Sequence, residues 1–217
     1  MSLMPMRSLD EEVVNAYTHL MWSIISAVFL LLFLFDSDIS FKFKTSSLMI
    51  TGLPGWTFFS SFLYHSSQGR KKIKNRELDK TSIFLMIMGC GISINMSCID
   101  SYAAFLSCAF LAVITATLVL VYTHQESPTE SFSLTSYVLL GWFCILPLTG
   151  VLGDTVYSQS SSTWFIIFGG ISYSAGILFY SKDSVKWNHT IWHLFVMLGY
   201  ALHLAGHYKV LQHASIT

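Results

Sequence analysis

The sequence predicts an all-α membrane protein, a seven-transmembrane helix bundle with its N-terminus in the cytoplasm and its C-terminus outside. Three observations carry that expectation. Hydrophobic residues fill 53% of the 217 positions and charged residues only 11%, where a water-soluble domain carries about 25% charged residues. Seven apolar stretches approach the ~20 residues that a helix needs to cross a bilayer. The basic residues are also sorted by loop. If the spans are numbered in order, nine of the twelve lie on the side of the N-terminus and three on the other, which puts the N-terminus inside by the positive-inside rule.

The seven stretches run from Ala16 to Phe35, Ser46 to Tyr64, Thr81 to Ile99, Tyr102 to Tyr122, Phe132 to Leu152, Trp164 to Tyr180 and His189 to Leu211. The first follows Asp10, Glu11 and Glu12 and has no small-residue cleavage site, so no cleaved secretory signal is expected. Pro54-Gly55 in the second and Pro147 in the fifth are expected to kink their helices, which membrane helices tolerate. Asp100-Ser101 barely separates the third and fourth, making them antiparallel neighbours. A single domain over residues 1–217 follows, without internal repeats or a low-complexity tail.

The cytoplasmic side collects Arg7, Arg70, Lys71, Lys72, Lys74, Arg76, Lys80, Lys182 and Lys186, against Lys42, Lys44 and Lys209 outside. The run from Arg70 to Lys80 reads as a topology signal touching anionic lipid. The formal net charge of zero suggests no nucleic-acid partner. Cys90, Cys98, Cys108 and Cys144 all sit inside apolar stretches without metal-type spacing and read as small packing residues.

The last span carries the strongest chemical signal. His189 and His193 are four residues apart, about 40° around a helix, so both imidazoles can address one metal ion. Tyr200, His203 and His207 follow on nearly the same face. For His203 or His207 alone, a hydrogen bond to a neighbouring helix is the simpler expectation. The topology supplies partners for the pair. His65 ends the second span at the inner face, Asp79 stands at the mouth of the third, and His189 and His193 occupy the first two turns of the seventh. Three histidines with an open fourth position form a catalytic zinc arrangement. Ser61 precedes His65 by one turn and shares its face. Glu12, Asn15 and His19 form a polar stripe at the same end of the first span. That stripe reads equally well as capping and interfacial solvation or as support for the metal ligands.

Together the runs Glu11-Glu12-Val-Val-Asn15-Ala-Tyr-Thr18-His19, Ser61-Phe-Leu-Tyr-His65-Ser66, Leu78-Asp79-Lys80 and His189-Thr-Ile-Trp-His193-Leu-Phe-Val resemble the bacterial hemolysin III family. That family is the prokaryotic branch of the progestin and adipoQ receptor (PAQR) family, more distantly related to alkaline ceramidases. The resemblance covers all seven spans. It implies a seven-helix bundle with cytoplasmic N-terminus and zinc bound by His65, His189 and His193. It also implies that Ser61 and Asp79 lie beside the bound water, and it matches His203 to a further histidine common in the family's last helix. Two departures concern the cavity. Thr81 to Gly91 reads Thr-Ser-Ile-Phe-Leu-Met-Ile-Met-Gly-Cys-Gly where the family often has a Gly-Thr-Tyr-Thr-Pro pattern, and Tyr200 replaces a usually smaller residue.

The function expected from these residues is a zinc-dependent hydrolase of a lipid amide or ester at the inner leaflet of the plasma membrane. Asp79 would orient or deprotonate the water and Ser61 would hydrogen-bond it or a developing oxyanion. A membrane lipid is then substrate or ligand. The alternative is a non-enzymatic membrane-homeostasis regulator or receptor with structural zinc. A haemolytic pore is disfavoured, because a compact bundle offers no evident channel.

Overall fold

The structure is a computed structural model that describes residues 7–98, 102–124, 130–145, 162–182 and 185–214. Its described residues form seven helices and no strand: α1 (Leu9–Phe35), α2 (Phe41–His65), α3 (Gly69–Cys98), α4 (Tyr102–His124), α5 (Glu130–Phe143), α6 (Ser162–Tyr180) and α7 (Asn188–Ala214). Each expected span thus has its helix. Four of the helices, α1, Leu106–His124 of α4, α6 and α7, are long and apolar enough to cross a membrane. The others fall short for visible reasons. α2 carries a run of serines and threonines, α3 begins with a charged run, and the described part of α5 has 14 residues. α3 and α4, expected to be neighbours, are in contact. The Asp100-Ser101 break between them, the second half of the fifth span with Pro147, and the side chain of Cys98 lie outside the described residues.

Local sequence explains the helix ends. Ser8 caps α1 in a reciprocal box, its hydroxyl accepting from Glu11 N–H while Glu11 Oε2 accepts from Ser8 N–H at 3.0 Å. Acidic Asp10, Glu11 and Glu12 sit in the first turn, where the helix dipole favours them. Pro54 lies inside α2, which continues as helix to His65.

α7 is the centre of the bundle. It packs along α6 and also touches α1, α2 and α3. Half of its apolar window is buried, against 17% for α1 and for α4, which face outward. Leu31, Leu32 and Phe35 of α1 are among the large exposed side chains that suit a lipid surround. Inside, Phe33, Ile50, Phe58, Met86, Met197, Tyr200 and Leu204 join α1, α2, α3 and α7 into one apolar cluster. Phe84, Leu111, Tyr137, Leu140 and Cys144 join α3, α4 and α5. Close approach of α6 to α7 depends on Gly169, where an added Cβ would come within 2.2 Å of the His203 ring.

Buried hydroxyls tie the helices together, as expected where lipid supplies no hydrophobic drive between them. Ser46 bonds Ser93 and Ser97 at 2.9 Å, and Ser26 donates to Tyr200 at 2.9 Å. Ser60 meets Ser82 at 2.7 Å, and Thr57 donates to the Ser82 carbonyl at 2.8 Å. These last bonds set α2 against α3 beside Ser61 and Asp79. Cys90, Cys108 and Cys144 are free thiols in or near the core, consistent with packing roles.

Candidate metal centre

His65 from the last turn of α2 meets His189 and His193 from the first two turns of α7. All three are buried, and a ligand nitrogen of each lies within 4.8 Å of the others. His65 Nε2 is 3.4 Å from His189 Nε2, which is 3.0 Å from His193 Nε2. Two nitrogens bound to a tetrahedral ion at roughly 2.0–2.1 Å lie about 3.3–3.4 Å apart, so the cluster is at metal-binding separation. The group can hold a metal ion.

The remaining ring nitrogens test that fit. His65 Nδ1 donates to Glu12 Oε2 at 2.7 Å, and Lys72 pairs with Glu12 Oε1 at 2.8 Å. A proton fixed on Nδ1 leaves the Nε2 lone pair for a metal, the usual carboxylate–histidine support. Burial alone would raise the Glu12 carboxyl, but hydrogen bonds from His65 and Lys72 outweigh it and bring it down to about 2. Glu12 therefore stays ionised beneath the cluster. His193 Nδ1 is buried with no hydrogen-bond partner among the described residues, a position that a water fills in many metal sites. His189 is different. Arg7 Nη2 donates to its Nδ1 at 3.0 Å, so holding a metal through Nε2 requires that guanidinium to move off.

Ser61 and Asp79 meet across the α2–α3 contact, where the Ser61 hydroxyl hydrogen-bonds the Asp79 carboxyl. Asp79 precedes the apolar stretch of α3. Burial pushes its carboxyl up to about 7, against that hydrogen bond and the pull of Arg7, Lys80 and Arg76. Both residues line one cavity with His189 and His193. From there the cavity continues between α3, α5, α6 and α7 past Met86, Cys90, Val138 and Ile177 to Ile94, Ile166 and His203. It holds about 1360 Å³ of unfilled space, part of it open to solvent.

Residues 7–204 match the sequence profile of a family described as haemolysin-III related. The chain belongs to the haemolysin-III family. It is similar to a hemolysin-3 homolog of Bacillus subtilis (strain 168), 26% identical over 210 residues that cover 90% of this chain and 92% of that protein. It is also similar to hemolysin-3 of Bacillus cereus, 25% identical over 200 residues that cover 88% of each. The resemblance read from the motifs is thus borne out. Membership, with the apolar helices, makes this an integral membrane protein.

Within this haemolysin-III chain the α1 stripe faces the centre. Asn15 Oδ1 accepts from the Thr190 hydroxyl at 2.7 Å. His19 stacks on His193 with ring centroids 3.8 Å apart and packs edge-on to Phe58. His203 behaves otherwise. It lies ten residues beyond His193, about 15 Å along the helix, and donates to the Ile166 carbonyl at 3.1 Å. It supports the far end of the cavity and not the metal ligands. His207 bonds Ser47 at 2.8 Å and Ser93 at 3.2 Å, the helix-to-helix role expected of a lone histidine.

Sequence reading passed over three groups. Arg7 and Lys72 counted only as topology signals, yet Arg7 touches His189 and, at 3.1 Å, the Tyr64 hydroxyl. Glu11 stood only in the acidic run before the first span and in the family motif, yet its Oε1 accepts from Trp187 N–H at 2.6 Å. Trp187 has φ of 68°, an uncommon left-handed conformation for a bulky residue, directly before α7. Glu11 therefore anchors the start of the helix that carries two of the three histidines. Only contacts distant in sequence reveal these roles.

Proposed function

We propose that this haemolysin-III protein is a zinc-dependent hydrolase of a lipid amide or ester linkage. The observation that carries the reading is the position of three converged imidazoles at the polar end of a long apolar cavity, beside a hydrogen-bonded serine–aspartate pair. His65, His189 and His193 would hold the ion through Nε2. Zinc so bound is a Lewis acid that also lowers the pKa of water towards ~7.

The chain's own groups supply the rest. Asp79 accepts a proton from the attacking water, and the Ser61 hydroxyl holds that carboxyl in one orientation. Glu12 fixes the His65 tautomer and balances part of the added positive charge. The apolar walls of the cavity take an acyl chain, excluding water from all but its polar end, where the scissile linkage would sit.

The test uses purified protein in neutral detergent. Metal analysis should return about one zinc per chain. Incubation with a mixed membrane-lipid extract should release acyl products that mass spectrometry detects. His193→Ala should lose both the zinc and the products. Full zinc content with no turnover of any lipid amide or ester would leave the metal a structural role and sink the hydrolase reading.

A further inference from the structure

Three cationic side chains line the polar end of the cavity, Arg7 before α1 and Arg76 and Lys80 before the apolar stretch of α3. Asp79 is the one carboxylate in that lining among the described residues. All three cations line the cavity with Asp79 and pull on its carboxyl. None of the three is needed for the hydrolytic chemistry above. Each already engages neighbouring groups, and each is half-buried where an exposed surface position would cost less.

Behind this charged end the lining along α3 is mostly apolar. From Lys80 to Ile94 the cavity follows α3 for about 21 Å, lined by Ile83, Met86, Ile87 and Cys90 on one helical face. An excess of positive charge at one end and a long apolar bore behind it match an amphiphile in both charge and shape. Guanidinium and ammonium groups recognise carboxylate and phosphate through charge-assisted hydrogen bonds that strengthen away from bulk water.

We propose that Arg7, Arg76 and Lys80 form a head-group site for an anionic amphiphile whose chain lies in the cavity. The head is a carboxylate or a phosphate, held in the positive field that these side chains set up beside Asp79. This deepens the lipid-hydrolase reading by naming the class of lipid, and rests on it only for the fate of that lipid.

The test is therefore one of binding and not of turnover. Oleate, oleyl phosphate and oleyl alcohol share a chain and have no amide or ester to hydrolyse. Trp142 and Trp192 line the cavity, so the intrinsic fluorescence of the purified full chain in neutral detergent reports occupancy. At least one of the two anions should bind 10-fold or more tightly than the alcohol, and the tighter one identifies the head. Arg76→Gln with Lys80→Gln should remove that preference. The charge-keeping pair Arg76→Lys and Lys80→Arg should retain it, which separates lost charge from lost folding. Lys71→Gln with Lys74→Gln, exposed on the same part of α3, should leave it intact. Equal affinity for all three ligands overturns the proposal. So does an equal loss in the Lys71/Lys74 variant, which would mean a general surface attraction. Turnover failing while anion preference holds would remove the hydrolase reading and keep this site.

Discussion

Glu12 Oε2 lies 2.7 Å from Nδ1 of His65, joining the first turn of α1 to the last turn of α2 directly beneath the histidine cluster. That one contact decides which nitrogen of His65 faces His189 and His193. It also explains why a carboxylate at the edge of an apolar helix is worth its desolvation: the same group pairs with Lys72 on α3, so three helices meet on it.

The first prediction follows from that contact. Glu12→Gln keeps the size but replaces the ionised acceptor by an amide, which holds the His65 proton less firmly. Zinc affinity should fall about 10–100-fold, the usual effect of losing such a support. A competition titration against a chelator of known affinity measures it. Unchanged affinity would mean that His65 is oriented by its packing alone.

Asp79→Asn tests the division of labour between metal and carboxyl. The amide preserves shape and a partner for the Ser61 hydroxyl but accepts no proton. Zinc content should stay near one per chain while hydrolysis falls at least 100-fold, within the range of a lost general base. Near-normal turnover with zinc retained would remove Asp79 from the chemistry.

Glu11 is expected to matter for folding. Its carboxylate caps α1 with Ser8 and accepts from Trp187 N–H before α7. Glu11→Ala loses both, at a cost of about 1–3 kcal/mol. The midpoint of thermal unfolding in detergent should drop. Zinc affinity should weaken with it, because α7 carries His189 and His193. A midpoint equal to the parent's would show that the α6–α7 connection holds itself.

The expected orientation is open to direct measurement. A reporter fused after Thr217 should read the exterior, and one inserted between Gly69 and Lys74 the cytoplasm. An interior reading at Thr217 would invert the bundle or remove a span. Since His65, His189 and His193 sit together, a miscount is the less compatible of the two. An inverted bundle would move the site to the outer leaflet with its geometry intact.

Much of this protein was legible in its residues. Hydropathy and the sorting of basic side chains defined the class and the seven helices, because crossing a bilayer imposes length and apolarity on each segment separately. The four-residue spacing of His189 and His193 placed both on one face, because helix geometry is local. Loop counting then brought His65 and Asp79 to the same end. Tertiary structure decided what depends on several helices at once. Only the packing of α7 against α1, α2, α3 and α6 distinguishes His189 and His193, which meet a third imidazole, from His203 and His207, which meet a carbonyl and two serines. All four lie on one helical face, and nothing in their spacing separates them. The roles of Arg7, Glu11 and Lys72 were hidden for the same reason. A charge before a helix has one meaning in the chain, a topology or capping signal, and acquires another only when a distant residue arrives opposite it.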